Sequence, residues 1–434
     1  MSRYASRVSL RRFMWLALVG TLSPLVLAAA SRAQNPSAPP RVVPTRVEKI
    51  AEGVSATTIH GWNTGRLVRH GGVLFASAAV SNPRAAEYWD HGGAFFRRDD
   101  GRWKEVGRLP FNPYTMAVAP DGTFWVVAPS SYTDCRVLRS DIPGDPSKLE
   151  EVHRGTCSYL GASIGPEGNF VVLYAESADS TAGTPNAVTV DFHERASDRW
   201  HRSRIATPEG RYGYEGIVLR GKQAIAVLNS SLTDPDHADA KGTRYSWRHV
   251  RLARCEDLTK GEWIQSGWLL PQDGRTALQD LIVGPDGDLY LSYSHVAAAS
   301  HSALLAIEKT PHRIARIHSD LGVETFETGL QVGAARLLVD PKGGFHLVGR
   351  WGAGGLRLWD LDRTQGFRAG EPRELAGTDA LEDYVVHTLC PERFGGESGG
   401  DTVDLLGTKS PADPPGKERA DVDLWLASFR WADL

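Results

Sequence analysis

Met116-Ala117-Val118-Ala119-Pro120-Asp121-Gly122, running on into Thr123-Phe124-Trp125-Val126-Val127, joins two short apolar stretches through a Pro-Asp-Gly corner. Proline sets φ near about −65° at the first corner and glycine accepts the positive φ that closes it, so the segment reads as a hairpin. The pattern returns at Ile164-Gly165-Pro166-Glu167-Gly168, at Leu281-Ile282-Val283-Gly284-Pro285-Asp286-Gly287 and at Leu337-Leu338-Val339-Asp340-Pro341-Lys342-Gly343, each followed by a second apolar or aromatic run. Weaker copies stand at His70-Gly71-Gly72, at Arg220-Gly221-Lys222 and over Glu392 to Gly400. The turn centres fall near 71, 121, 167, 222, 286, 342 and 397, a mean spacing of about 54 residues. That is room for one four-stranded antiparallel sheet with its loops. The pattern predicts an all-β chain: a single seven-bladed β-propeller over 46–434, with six blades as the alternative count.

The segments Phe95 to Trp103, Val190 to Trp200 and Val250 to Trp263 each end a further strand pair on tryptophan, where an aromatic packs between neighbouring sheets. Leu424 to Trp431 is expected to pair with Arg46 to Val54, closing the ring and removing an exposed edge. With 434 residues, 41% hydrophobic and 23% charged, and a formal net charge of −3, the chain is neither disordered nor a coiled coil. The balanced charge argues against bulk attraction to nucleic acid, so no nucleic-acid partner is expected.

Residues 1–33 have the layout of a secretory signal peptide: Arg3, Arg7, Arg11 and Arg12, then an apolar run from Phe13 to Ala30, then small residues at a cleavage point after Ala30 or Ala33. Residues 34–45 read as a Pro-rich linker. The expected mature protein is secreted or periplasmic, with Arg11-Arg12 leaving twin-arginine export open, no membrane anchor after cleavage, and a monomeric state. Four cysteines are too few for a disulfide framework; Cys135 and Cys157 are placed for a local pair, and Cys255 and Cys390 are expected to be buried thiols. No cofactor is implied. Asp234 to Asp239 lacks the glycine and terminal glutamate of a calcium loop, the histidines lack zinc spacing, and no GxSxG turn occurs, so no metal and no serine nucleophile is expected.

The first strand of each blade lines a propeller's axis, and the loops entering first strands share one face with those joining second strands to third. The Asp-Gly corners belong to the opposite face. The upper ends of the inner strands then hold Asn63 and Arg66, Tyr114, Tyr159, Tyr214 with Glu215, Gln279 with Asp280, Arg336, and Asp383 with Tyr384. Guanidinium groups fork onto carboxylates, and a carboxylate beside a phenol raises its nucleophilicity. Longer loops on the same face add Trp89 and Asp90, then Tyr245, Arg248 and His249, then His295 and His301. Exposed aromatic and charged groups in long loops suit a carbohydrate. A polar channel filled with water is the plain alternative.

Tyr214 to Trp263 resembles the sialidase-like, Asp-box (BNR) propellers as a non-standard member. The matching residues are Glu215, Ile217-Val218-Leu219, Gly221, Ala224-Ile225-Ala226-Val227-Leu228, and Cys255 through Trp263; Asp99-Asp100-Gly101-Arg102-Trp103 is a second degenerate box. The resemblance implies a site of three arginines, an aspartic acid and a tyrosine nucleophile activated by glutamate, with Glu215 at the glutamate position and Asp90 at the aspartate. Arg66 lacks the Ile-Pro that follows the family's first arginine. Asn229-Ser230 stands where the second arginine would be, and Ala334-Ala335-Arg336 where the tyrosine would be. Polysaccharide-lyase propellers have a similar look and take a proton beside a uronate carboxylate with His or Tyr.

The expected function is recognition of a glycan, an acidic sugar preferred, with groups suited to glycosidase or uronate-lyase chemistry. Glu215, Tyr214, Asp90, His249 and His295 are the candidate catalytic groups. Arg66, Arg248, Arg336, Tyr245 and Trp89 are the candidate substrate-binding groups. A non-catalytic binding or scaffold propeller is the alternative.

Overall fold

The computed structural model describes residues 39–59, 61–131, 133–156, 160–175, 188–207, 211–233, 245–268, 275–296, 310–350, 355–381, 386–409 and 421–434. Pro39–Leu434 forms one compact unit, and the expected leader lies outside the described residues.

The described strands build seven antiparallel blades. Blade one is Leu67–His70, Val73–Val80, Gly92–Asp99 and Arg102–Leu109; blade two is Thr115–Val118, Phe124–Pro129, Cys135–Ser140 and Leu149–Gly155. Blade three is Gly161–Ile164, Phe170–Ala175, Val188–Glu194 and Arg199–Ile205; blade four is Gly216–Arg220, Gln223–Thr233, Tyr245–Cys255 and Trp263–Trp268. Blade five runs Arg275–Val283, Leu289–Val296, Pro311–Ile317 and Val323–Gln331; blade six runs Gly333–Val339, Phe345–Arg350, Leu356–Asp362 and Arg373–Leu375. Blade seven takes His387–Thr388, Thr402–Lys409 and Val422–Arg430 from the end of the chain and its outer strand, Arg46–Val54, from the beginning.

Each Pro-containing corner joins the first strand of its blade to the second. In all four, the glycine N–H donates to the carbonyl three residues back, as Gly122 does to Ala119 and Gly287 to Gly284 at 2.9 Å. The glycine itself sits at positive φ: 89° at Gly122, 80° at Gly168, 84° at Gly287 and 84° at Gly343. A side chain at that φ costs about 1–2 kcal/mol, which is why glycine recurs there. The corner predicted near 397 is different. The segment between His387–Thr388 and Thr402–Lys409 holds a short helix, Pro391–Phe394, whose end is pinned to blade two by a bridge between Gly395 and Val118.

The tryptophans closing strand pairs do reach adjacent blades. Trp103 Nε1 donates to Glu48 of blade seven at 3.1 Å, Trp200 stacks on His153 of blade two with centroids 4.0 Å apart, and Trp263 Nε1 donates to Ser203 of blade three at 3.0 Å. Apolar cores likewise lie between sheets, as where Val171, Leu173 and Val190 of blade three meet Ile217, Leu219 and Ala226 of blade four. Ring closure follows the expected pairing, Val47 opposite Ala427 and Glu48 opposite Leu426. Within the stretch read as a Pro-rich linker, Arg41–Val42 adds a parallel strand to Arg373–Leu375 of blade six, where that edge offers unpaired backbone groups. Cys255 is buried, Cys390 is half-buried, and the Cys135 pairing involves Cys157, outside the described residues.

His312 of blade five is fully buried between Ser292 Oγ, 2.7 Å from Nε2, and Thr328 Oγ1, 3.1 Å from Nδ1, and burial pushes its pKa down to about 3. In the unfolded chain it titrates near its ordinary value, so below about pH 6.5 protonation favours unfolding. Urea unfolding should show this part of the stability lost as pH falls toward about 3, at up to about 1.4 kcal/mol per pH unit. His312→Gln should show a correspondingly shallower pH dependence than the wild-type protein.

Candidate functional site

The segment Gly61 to Arg66 enters blade one across the axis, and its residues are almost entirely buried. Asn63 Nδ2 donates to the carbonyls of Leu160 at 2.5 Å and Glu215 at 3.1 Å, the residues just ahead of the inner strands of blades three and four. Arg66 donates to the Pro113 carbonyl and, at 3.2 Å, to Asn112 Oδ1, ahead of blade two. From blade six, Arg336 donates to the carbonyls of Val386 at 2.6 Å, Gln279 at 2.8 Å and Trp62 at 3.1 Å. Arg393, on the short helix, donates to Leu281 and Asn63 carbonyls at 3.3 Å and lies 5.4 Å over the Trp62 ring. Asp280 accepts from the Leu281 and Leu337 amides, both at 2.9 Å, and sits 3.5 Å from Arg336. Together these contacts bind the inner edges of all seven blades.

Electrostatics follow burial. Desolvation pushes the Arg66 guanidinium down to about 9, partly opposed by Tyr114, and raises Asp280 even though Arg336 and Arg393 favour its charged form. His387 is held well below its usual range by burial and then by the positive charge of Arg336. These are groups whose main partners are backbone carbonyls and amides.

Arg66 and Arg336 therefore stand corrected as open anion clamps: both are fully enclosed, and their described contacts serve to hold blades together. Asp90 is exposed, and its Oδ2 accepts from the backbone N–H groups of Ala86 at 3.0 Å and Glu87 at 2.9 Å, so its carboxylate organises its own loop. Trp89 is half-buried on the same single turn, Tyr88–Asp90. His295 is buried on the second strand of blade five, with Nδ1 3.0 Å from Thr276 Oγ1.

Blade four gathers the rest. Glu215 is fully buried at the head of its inner strand, and Tyr214 beside it is half-buried with φ at 59°. A methyl group placed on Gly61 would lie 3.4 Å from both the Tyr114 hydroxyl and Cδ1 of the Tyr214 ring, so the two tyrosine rings and the main-chain carbonyl of Glu215, held by Asn63, share one small cup. Tyr245 and His249, on the third strand of this blade, pair with Thr233 and Ser230 of its second strand, and Arg248 falls at the register shift between Trp247 and His249. Their side chains are outside the described residues, as are Tyr159, Asp234 to Asp239, His301, Asp383 and Tyr384. Sequence reasoning missed Trp62, His387 and Arg393. Arg393 carried a usable signal: Pro391 opens a helical turn and Gly395 closes it at φ 70°, the proline-first, glycine-last order of a short helix.

No protein-family profile matches this chain, and no curated protein is similar to it in sequence. Solved structures share its fold. A polysaccharide lyase described as a PL25 ulvan lyase bound to -[GlcA(1-4)Rha3S]- superposes with a TM-score of 0.57 at 11% identity, over 89% of this chain and 96% of that one. More distant are a hydrazine synthase from Kuenenia stuttgartiensis, TM-score 0.48 at 15% identity over 81% and 94% of the two chains, and a family 117 glycoside hydrolase from Zobellia galactanivorans, 0.36 at 13% over 62% and 83%. The first of these likenesses defines the class of fold, a β-propeller; the chemistry has to come from the residues.

Tyr214 gives a direct test of the cup's backbone. Glycine normally destabilises an ordered position relative to alanine, but at this positive φ the order should reverse. Urea unfolding is expected to show Tyr214→Gly more stable than Tyr214→Ala by about 1–2 kcal/mol. Equal or inverted stabilities would contradict the left-handed backbone.

Proposed function

We propose that this propeller acts on an acidic polysaccharide, held at the mouth of the axis beside Tyr214 and Glu215. One observation carries the reading: a bulky tyrosine held at φ 59° directly ahead of a fully buried glutamate, in a cup it shares with Tyr114. Backbone strain of this kind persists where the surroundings over-determine it, and it concentrates at functional sites. Elimination suits the cup better than hydrolysis. A glycosidase usually needs two carboxyl groups flanking the scissile bond, whereas Asp90 is committed to its own loop and Asp280 to inner-strand amides.

In an elimination a phenolate or histidine takes the proton beside the uronate carboxylate. The bond from the neighbouring carbon to the glycosidic oxygen breaks, that oxygen receives a proton, and the sugar keeps a carbon–carbon double bond. Tyr214 is the candidate for proton transfer and Glu215 its electrostatic support, with Arg248 and His249 of the same blade as candidates to meet the uronate carboxylate. The fold shared with a lyase bound to a GlcA-containing ligand supports the same class. Export by the leader over 1–33 belongs to this reading, since acidic polysaccharides are met outside the cell.

The test is a panel of uronate-containing polysaccharides, followed by absorbance near the ultraviolet edge, where an unsaturated uronate absorbs, and by reducing-sugar release. Wild-type protein should generate both signals, and Tyr214→Phe should lower kcat by roughly 100-fold or more while leaving binding in place. Reducing sugar without the absorbance would make the protein a hydrolase. Saturable binding with neither signal would make it a binding propeller, and absence of binding would overturn the reading.

A further inference from the structure

The axis of the ring carries more positive charge than its described neighbours cancel. Arg66, Arg336 and Arg393 are fully buried there, against two buried carboxylates, Glu215 and Asp280. The other buried carboxylates among the described residues, Asp191 and Asp404, are ion-paired at blade seams, to Arg202 at 2.7 Å and to Arg69 at 2.6 Å. Burial also pushes Asp280 toward its neutral form, which widens the imbalance. Main-chain carbonyls offer these cations dipoles but no counter-charge, and a buried charge without one is strongly unfavourable.

Arg336 and Arg393 converge on one spot. Arg336 Nη1 donates to the carbonyls of Trp62 and Gln279, while Arg393 donates to those of Asn63, from Nη2, and Leu281, from Nη1. The two guanidinium groups therefore bracket the same two stretches of main chain. The nitrogens left over, Arg336 Nη2 and Arg393 Nε, are buried and have no hydrogen-bond partner among the described residues. Trp62 Nε1 is in the same condition, and its ring lies 5.4 Å from the Arg393 guanidinium. Buried polar atoms are normally satisfied, so three orphaned donors in one cluster call for an acceptor. A water molecule would meet some of them but brings no charge; an anion accepts from several donors at once and offsets the excess cation as well.

The packing sets the size of that anion. A methyl group on Gly65 would fall 2.7 Å from both the Phe394 ring and the Met116 carbonyl, and one on Gly216 would fall 2.6 Å from the Trp62 ring. Walls that refuse a methyl group suit a single-atom ion better than a carboxylate or a sulfate.

We infer that the axis binds one halide-sized anion, chloride in ordinary salt, between Arg336 Nη2, Arg393 Nε and Trp62 Nε1, as a structural counter-ion where the blades meet. Its readouts involve no glycan, so this inference and the proposed function can fail independently.

The full chain, dialysed free of halide, is to be unfolded in urea with chloride exchanged for acetate at constant ionic strength. Above its Kd, each tenfold rise in chloride should raise the folding equilibrium constant roughly tenfold, as binding to the folded state alone requires, and bromide should act likewise. Crystals grown in bromide should show an anomalous peak within hydrogen-bonding reach of Arg336 Nη2 and Arg393 Nε. Arg393→Met, which removes one of the three cations, should weaken the chloride response roughly tenfold or more and abolish the peak. The inference is overturned if chloride and acetate give the same unfolding midpoint, if crystals in bromide show no peak at the axis, or if a folded Arg393→Met variant responds to chloride as the wild-type protein does. The bromide measurement on wild-type protein stands by itself should the variant fail to fold.

Discussion

Three buried guanidinium groups hold the centre of this ring together. Arg66, Arg336 and Arg393 are each fully buried, and each donates to main-chain carbonyls belonging to blades other than its own. Removing a cation of this kind from water costs several kcal/mol. A hydrogen bond from a charged donor returns only about 1.5–3 kcal/mol net, so one contact would not suffice. Arg336 makes three. The multiplicity is what makes burial tolerable, and it also cross-links sheets that otherwise touch mainly through apolar side chains.

That seal shapes what the axis can do. A channel lined by polar residues would ordinarily be open to solvent and ligand, but here the Gly61 to Arg66 segment and the Pro391–Phe394 helix fill it. Ligand chemistry is thereby left to the faces of the ring, and the proposed glycan site is the Tyr214 cup at the mouth of the axis.

Much of the architecture was legible because its determinants are local. A Pro-Asp-Gly corner needs only its own residues to turn, and four clear corners with three weaker copies, at a mean spacing of about 54 residues, give the blade count and the order of the first two strands in each blade. The Trp103, Trp200 and Trp263 contacts were legible for the same reason, since each ends a strand pair in a repeating register. The site was read less well because burial at the axis is collective. Nothing beside Arg66 or Arg336 in the sequence says that carbonyls from distant blades will converge on them, so both were read as substrate-binding groups. Asp90 misled in the opposite way: its carboxylate is spent on amides four and three residues before it. Tyr214 and Glu215 could be placed at an inner strand's head because that is a repeat position, but the left-handed backbone of Tyr214 has no signature in a Gly-Tyr-Glu-Gly string.

Ring closure gives the chain a timetable. Arg46 and Ser428, joined at 2.8 Å, are 382 residues apart. At ribosomal rates of about 5–20 residues per second, the first strand waits roughly 20–75 s for the partner it must pair with. During that interval six blades can stack locally while both ends of the arc expose unpaired strand edges, the surfaces most prone to join another chain. A ring closed by its two ends is therefore born open. Whatever shields the open arc in that time, a chaperone or delayed folding, matters to the yield of this protein as much as the strength of the finished seam.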